Sequence, residues 1–368
     1  MDKTRRDLLK AAAASSAAIG VGGWPGLGMA ATKEPLKIGF VYVGPTGDFG
    51  WTYQHDLGRK AIIKALGPEA VKTTYVENVG EGSDADRVIR ELAAKGNKLI
   101  FTTSFGFMDP TMRAARQFPD TIFEMCTGYK LAHNVGTYTP KFIQGRYLTG
   151  LIAGHMTKSN IIGYVAPYPI PEVIRGVNAF IIGMHEVNPK ARVKVVFINS
   201  WFDPGKERLA AETLINQGAD ILNKHTDSPA VIQVAESKGV YSFGYDSDMR
   251  QFGPHTQLTS IILNWAPFYV ETAKQVIAGT WKSRDVWYGF AHDWIQLGPF
   301  LPAIPKAVVD QVEKQKQALI SGSFKIFKGP LLNQQGKQVL AAGQTLSDHD
   351  IRNMNYFLDG VEGQLPKS

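Results

Sequence analysis

Residues 36–43 read LKIGFVYV, a run of β-branched and aromatic residues that ends at Gly44-Pro45. A short apolar run bounded by such turn residues is typical of a buried strand. The chain then changes character, because residues 52–66 have a helical pattern and end at the next Gly-Pro pair. Residues 71–77 read as a second strand. A strand, a helix and a strand in this order predict a parallel β-α-β unit.

The alternation of strands and helices extends through most of the chain. Before residue 127 we predict further strands at 98–103 and 121–126, and helices at 83–95 and 110–118. The pattern then begins again, with predicted helices at 142–157, 171–187, 204–217, 229–238 and 266–278, and predicted strands at 161–165, 192–198, 219–222, 240–244 and 258–263. Two such units in succession predict the fold class α/β, with two doubly wound parallel-sheet lobes.

The connection between the lobes is expected to be ordered. No Pro/Ser-rich linker separates the two units, so the chain is expected to cross between them on ordered segments that act as a hinge. We assign residues 35–139 and about 265–300 to lobe 1. We assign residues 140–262 and about 301–368 to lobe 2.

The first 31 residues predict an export signal. Arg5-Arg6 precede a weakly apolar Ala/Gly/Ser run over residues 11–28, and small residues follow at 28–31. This order is typical of a secretory signal, and the paired arginines resemble a twin-arginine signal. A membrane anchor would need about 20 strongly apolar residues. We therefore expect the signal to be cleaved and the mature protein to be periplasmic.

Composition argues against several classes of protein. The formal charge is +7, but Lys and Arg are scattered, so nucleic-acid binding has little support. The single cysteine, Cys126, cannot form an intrachain disulfide and reads as a buried strand residue. The sequence shows no His or carboxylate cluster at metal-ligand spacing and no GxSxG nucleophile motif. We therefore predict no metal, no cofactor and no catalytic residues.

Candidate binding residues lie on the loops that follow strands. In open parallel sheets ligands bind at the carboxyl ends of the strands, so two facing lobes would form a shared cleft. Four such loops carry aromatic residues or carboxylates: 44–53, 103–109, 200–203 and 245–248. The first loop contains Asp48, Trp51, Thr52 and Tyr53. Trp51 either stacks on a flat ligand or packs beneath the helix that it opens.

The other loops supply one or two candidates each. Phe105 is flanked by Ser104 and Gly106, and Trp201 is expected to project from a strand end towards the cleft. Asp203 before Pro204 is better explained as a helix N-cap. Asp246 could accept from a sugar's hydroxyls or a base's amino groups. Glu172, at a helix start, either is favoured there by the helix dipole or contacts the ligand.

These loops resemble the basic membrane protein family of solute-binding proteins, which includes purine nucleoside receptors. The markers are GDFGWTY at 47–53, WFDPGKE at 201–207, GADI at 218–221 with Thr226-Asp227, and GYDSD at 244–248. The resemblance covers nearly all of residues 35–340. It implies a fold like that of type I periplasmic binding proteins, a purine ligand and an ABC transporter permease as partner.

The resemblance also assigns roles to single residues. Trp51 matches the position whose ring stacks on the purine, and Asp246 matches the carboxylate that holds ribose hydroxyls. Asp48 aligns with an acidic residue of the same first loop. The family's lysine after a Thr-Ser motif is absent, because Thr259-Ser260 is followed by Ile-Ile-Leu-Asn. This departure makes a free purine base such as adenine a candidate beside a nucleoside.

The sequence therefore predicts a periplasmic solute-binding protein of an ABC importer, not an enzyme. We expect it to bind an adenine-like purine base or a purine nucleoside between the lobes, as a monomer that meets the membrane only through its transporter. Two alternatives stay open: another small solute such as a sugar, and a nucleoside hydrolase, for which the sequence shows no acid/base pair. The candidate ligand-binding residues are Asp48, Trp51, Thr52, Tyr53, Phe105, Glu172, Trp201 and Asp246.

Overall fold

The computed structural model describes residues 34–365, and residues 35–365 belong to one compact unit. The predicted signal, residues 1–31, lies outside the described residues. Within that unit the strands form two large sheets and one small two-stranded sheet. Across residues 34–365 no helix is both long and apolar enough to cross a membrane.

The first sheet has six parallel strands in the order β11-β5-β4-β3-β1-β2. Its central strands are almost fully buried, as expected for a sheet covered by helices on both faces. The strands are β1 (Leu36–Val41), β2 (Val71–Val76), β3 (Leu99–Thr102), β4 (Ile122–Cys126), β5 (Val135–Pro140) and β11 (Asp285–Tyr288). The helices between them are α1 (Trp51–Leu66), α2 (Ser83–Ala94) and α3 (Met108–Gln117).

The second sheet has seven strands in the order β12-β10-β9-β8-β6-β7-β15, of which only β12 is antiparallel to its neighbour. The strands are β6 (Ile161–Ala166), β7 (Arg192–Phe197), β8 (Ile221–Lys224), β9 (Tyr241–Asp246), β10 (Gln257–Leu263), β12 (Ile295–Leu297) and β15 (Val361–Glu362). Four helices belong to this part of the chain: α4 (Phe142–Met156), α5 (Pro171–Val187), α6 (Pro204–Asn216) and α7 (Ala230–Lys238).

The remaining elements connect the lobes or follow them. Helix α8 (Ala266–Ala278) packs against α1 of the first lobe. The C-terminal region contains α9 (Lys306–Ser321), β13 (Leu331–Leu332), β14 (Gln338–Leu340) and α10 (Asp348–Arg352). The chain passes between the two large sheets three times: after β5, after β10 and after β11. The α/β class with parallel sheets in two lobes is therefore confirmed.

Several local expectations are corrected by the structure. Strand β9 runs to Asp246 rather than Gly244, because Tyr245 and Asp246 continue the parallel pairing with β10. Strand β8 is displaced by two residues, to Ile221–Lys224. Strands β5, β11 and β12 were not predicted. The capping of α6 by Asp203 is confirmed, since its carboxylate accepts from the Lys206 amide. Cys126 is a buried strand residue, as expected.

Candidate functional site

A narrow cavity lies between the two lobes. Most of its walls come from the carboxyl ends of strands, where parallel sheets bind their ligands. The first lobe contributes Val43, Trp51, Ser104, Phe105 and Thr127, and the second contributes Glu172, Trp201, His225, Asp227 and Tyr245.

Trp51 is fixed in place on the first-lobe wall. It is the first residue of α1, and its indole N–H donates to the carbonyl oxygen of Thr103 at 2.5 Å. The edges of two buried rings support it, with centroids 4.6 Å away at His55 and 5.3 Å away at Trp265. Trp51 therefore packs on the core, as one of the two interpretations expected, and it also lines the cavity. Its stacking on a ligand stays a prediction.

Three further aromatic rings line the same cavity. Phe105 lies in a short 3-10 turn and stacks on Tyr129, with ring centroids 5.9 Å apart. Trp201 packs against Tyr168 with its centroid at 5.4 Å. Tyr245 is covered on one side by the guanidinium of Arg146, 3.9 Å from its ring centre. Aromatic rings from both lobes therefore line the cavity, a composition suited to a flat molecule.

His225 supplies a neutral polar wall. Its ring nitrogens lie 3.2 Å from the Tyr164 hydroxyl and 3.3 Å from the Tyr245 hydroxyl. The Glu172 carboxylate is 3.5 Å from the imidazole. Burial, with a further contribution from the nearby Arg146 cation, lowers the pKa of His225 to about 4. The imidazole is therefore uncharged at neutral pH and offers one donor and one acceptor.

Asp48 performs a structural role at the start of α1. Its carboxylate accepts from the backbone amides of Gly50 at 2.8 Å, Thr52 at 3.2 Å and Tyr53 at 3.0 Å. These bonds satisfy amides that the first helical turn leaves without partners. Burial raises the pKa of Asp48 to about 6, although the three amide bonds oppose that shift.

The structure brings four of the eight predicted residues to the cavity wall. Trp51, Phe105, Glu172 and Trp201 line it. Within the residues that the structure describes, the other four predicted residues do not line the cavity: Asp48, Thr52, Tyr53 and Asp246. The Thr52 hydroxyl accepts from the Gly44 amide at 3.2 Å, and the Tyr53 ring packs on Phe49.

Asp246 is fully buried at the end of β9, with a left-handed backbone φ of 70°. Neither of its carboxyl oxygens has a hydrogen-bond partner among residues 34–365. Burial raises its pKa to about 8. The carboxyl group is therefore held largely protonated at neutral pH.

Asp246 belongs to a buried group of five titratable side chains, which we call the acidic cluster: Asp48, Glu207, Lys224, Asp227 and Asp246. Electrostatic interactions link its members across the two lobes. The Lys224 ammonium lies 3.5 Å from the backbone carbonyl of Asp227. Burial lowers the pKa of Lys224 and raises that of Glu207. Asp227 is the member of this cluster that reaches the cavity wall.

The lobes touch each other beside the cavity. The Ser247 hydroxyl of the second lobe donates to the backbone carbonyl of Phe49 in the first, and the rings of Phe49 and Phe252 meet edge to face. The backbone of Gly50 lies against that of Asp227, so that a Cβ at Gly50 would overlap the Asp227 carbonyl. Only glycine permits this approach of the two lobes.

Four polar residues of the wall were not among the predicted ligand-binding residues: Ser104, Thr127, His225 and Asp227. Thr127 follows β4, and the pair His225 and Asp227 follows β8. The loops after β4 and β8 also begin at the carboxyl ends of strands, so the rule that identified the other loops covers them too. The predicted end of β8 lay two residues too early.

Comparisons with known proteins agree with this geometry. The family described as ABC transporter substrate-binding protein PnrA-like matches residues 36–328. A purine-binding protein of Brucella abortus (strain 2308) is 49% identical over 340 residues, covering 92% of this chain and 97% of that protein. A putative ABC transporter glucose-binding protein of Haloferax volcanii is 35% identical over 333 residues, covering 90% of this chain and 82% of that protein.

A solved structure of similar fold is that of an ABC transporter solute-binding protein from Conexibacter woesei. It has a TM-score of 0.65 and 25% sequence identity, and the match covers 79% of this chain and 98% of that one. The family match spans most of the chain and includes both walls of the cavity. The chain therefore belongs to the PnrA-like family of ABC transporter substrate-binding proteins.

Proposed function

We propose that the protein captures a purine base, adenine-like in its hydrogen-bonding edge, or a purine nucleoside, in the cavity between its lobes. The observation that carries this proposal is the aromatic lining, to which one lobe contributes Trp51 and Phe105 and the other contributes Trp201 and Tyr245. A flat heterocycle can stack on such rings, and the name of the Brucella relative points to the same ligand class.

The expected affinity follows from ordinary magnitudes. Base–aromatic stacking contributes about 1–3 kcal/mol per ring removed by mutation. Hydrogen bonds add about 0.5–1.5 kcal/mol each between neutral groups and about 1.5–3 kcal/mol each where one group is charged. Stacking on a ring of each lobe and two or three such bonds in a closed cleft therefore reach about 8 kcal/mol, which corresponds to micromolar binding.

The position of Asp246 supports a base over a nucleoside. A ribose held by this carboxylate would have to reach a side chain that is fully buried and outside the cavity lining. The neighbouring cleft between the lobes, which shares Phe105, Thr127 and Glu172 with the cavity, offers the space that a nucleoside's sugar would occupy. A nucleoside would therefore place its ribose towards Arg175 in that cleft rather than at Asp246.

A sugar is the second candidate ligand. The Haloferax relative is named as a putative glucose-binding protein, and aromatic faces also pack against sugar rings. Four aromatic rings around one small cavity favour a flat molecule, whereas sugar sites depend on many polar groups. The purine proposal therefore stands first, and the sugar is the alternative that an experiment must exclude.

As a family member the protein is a substrate-binding protein rather than an enzyme, and it works with a permease in a periplasmic or extracellular setting. We propose the periplasm, with residues 1–31 removed as a signal and the mature chain acting as a monomer. We also propose that residues 35–139, together with the segment from about residue 265 to the end of β11, move as one lobe against the rest, which includes β12 of the second sheet. The three crossings between the sheets would form the hinge.

Mass spectrometry of the small molecules released from the purified, mildly denatured protein tests this proposal. We expect a purine. Thermal unfolding should then show stabilisation by adenine, hypoxanthine or their nucleosides, because a ligand that binds only the folded state raises its stability. Release of a sugar, together with stabilisation by glucose and by no purine, would refute the ligand class.

A further inference from the structure

Asp227 lines the cavity, and the protein leaves its carboxyl group incompletely bonded. The side chain is only 3% exposed, and its Oδ2 atom, which is itself buried, has no hydrogen-bond partner in the described chain. Buried polar atoms are almost always paired, so an orphaned oxygen on a residue of the cavity wall calls for a partner, which a bound ligand would supply. No role was assigned to this side chain by sequence reasoning.

The charges around Asp227 are unbalanced. The acidic cluster holds one ammonium group, that of Lys224 at the end of β8, and four carboxyl groups. The carboxyl groups belong to Asp48 before α1, Glu207 on α6, Asp227 after β8 and Asp246 on β9. None of these carboxylates lies within 4.0 Å of a cationic nitrogen anywhere in residues 34–365.

The neighbouring cation outside the cluster, Arg146, corrects this imbalance only in part, because it opposes the raised pKa of Asp246 but forms no ion pair with a member of the cluster. Arg146 lies on α4, and its NH1 group donates to Asn223 and to the Lys224 carbonyl, both at 2.9 Å. Several unpaired negative charges buried together would cost several kcal/mol each. Protons on some of the carboxyl groups remove that cost.

We propose that Asp227 binds the ligand in its protonated form, and that it presents an O–H donor and a carbonyl acceptor side by side to the edge of the heterocycle. This inference rests on the proposed purine ligand. The protonated carboxyl group of Asp227 fits a ligand edge that carries an N–H donor beside a ring-nitrogen acceptor, as in a 6-aminopurine. An ionised carboxylate offers two acceptors and would instead select an edge with two adjacent donors, as in a 2-amino-6-oxopurine.

Burial supports this assignment. Desolvation first, and then the negative charges of Asp246, Asp48 and Glu207, raise the pKa of Asp227 well above its ordinary value, while Lys224 opposes the shift. Opening the lobes would hydrate the carboxyl group and separate it from Asp48, so its pKa is lower in the open state. Closure on the ligand therefore takes up a proton from the buffer.

The sign of the pH dependence follows from this linkage. Because the bound state holds the extra proton, affinity is constant below the open-state pKa of Asp227 and falls as pH rises above it. The loss approaches tenfold per pH unit for one proton. His225 contributes little at pH 7.5, because an imidazole with an ordinary pKa of about 6.5 is already mostly neutral in the open state and burial keeps it neutral in the closed state.

Calorimetric titration of the full-length protein with adenine, in buffers of different ionisation enthalpy, measures the protons taken up. For wild type at pH 7.5 we expect net uptake, and tighter binding of adenine than of guanine. Asp227→Asn keeps a donor beside an acceptor but cannot titrate, whereas Asp227→Leu has neither group. We expect D227N to bind adenine at least about tenfold tighter than D227L. We also expect it to take up about one proton less than wild type.

The possible outcomes separate this inference from the proposed function. If wild type binds adenine without proton uptake, or if D227N binds no better than D227L, Asp227 does not act as a protonated group. If wild type binds no purine at all, the proposed function itself fails. Since either variant could fold poorly, an infrared difference spectrum of wild type with adenine gives a second test: a gain in protonated-carboxyl absorption is expected, and its absence overturns the inference.

Discussion

Replacement of Trp51 separates ligand stacking from core packing. The indole N–H of Trp51 donates to the carbonyl oxygen of Thr103. The indole ring also makes T-shaped contacts with the rings of His55 and Trp265. Trp51→Leu removes the hydrogen bond, worth about 1 kcal/mol, and weakens two aromatic contacts of about 0.5–1.5 kcal/mol each. We therefore expect the free energy of unfolding to fall by about 2–3 kcal/mol in the absence of ligand.

The same change should weaken ligand binding by a different amount. The loss of one stacked ring costs about 1–3 kcal/mol, or roughly five- to 150-fold in affinity for adenine. Trp51→Phe keeps an aromatic face but not the N–H donor, so most of the affinity should remain while about 1 kcal/mol of stability is lost. Urea unfolding measures the stability, and calorimetric titration with adenine measures the affinity.

Trp281 provides a matched control. It is also half-buried and donates its indole N–H to a protein acceptor, the Glu124 carboxylate at 2.7 Å, but it does not line the cavity. Trp281→Leu should lower stability and leave adenine affinity unchanged. If Trp51→Leu lost the expected stability yet bound adenine as tightly as wild type, Trp51 would be a packing residue and the stacking argument would be wrong.

Three further predictions test closure, buried charge and the contact between lobes. Gly50→Ala places a Cβ 2.8 Å from the Asp227 Cα across the lobes and so opposes their closure. Adenine affinity should therefore fall at least about tenfold, because the ligand favours the closed state. The melting temperature should change little, and adenine should cause no compaction in X-ray scattering. Glu124 has a pKa raised by burial to about 8, so folding stability should fall as pH rises from about 4.5 to 8, by up to about 1.4 kcal/mol per pH unit. Glu124→Gln should flatten that urea-unfolding profile, and an unchanged slope would exclude Glu124 as its source. Arg352 forms an ion pair with Asp285 at 2.5 Å between α10 and β11, and so joins the two lobes. Arg352→Glu should therefore speed adenine release about two- to fivefold in stopped-flow experiments. Exchange of the pair, by adding Asp285→Arg, should reverse the effect.

The regular part of the fold could be predicted because its signals are local. Strand β1 and helix α1 are each marked by composition and by the Gly-Pro pairs that follow them. The missed strands lack such marks. Strand β11 is four residues long and pairs with β5, whose residues lie almost 150 positions earlier in the chain. Only the tertiary pairing makes these residues a strand, so no local pattern could indicate it.

The candidate site was predicted as far as the strand-end rule reaches. That rule identified Trp51, Phe105 and Trp201, because each follows the end of a strand. It could not show that Asp48 bonds three backbone amides, because that role depends on how the loop folds. It could not show the burial of Asp246 either, since this follows from the extra pairing of β9 with β10.

The central claim is that a flat purine base, rather than a sugar, fills the cavity between the lobes. Calorimetric titration of ligand-free protein with adenine and, in parallel, with glucose tests it most directly. We expect one site per chain for adenine with a dissociation constant of about 1 μM or tighter, and no measurable heat of binding for glucose. Saturable binding of glucose together with no binding of adenine would show that the cavity is a sugar site.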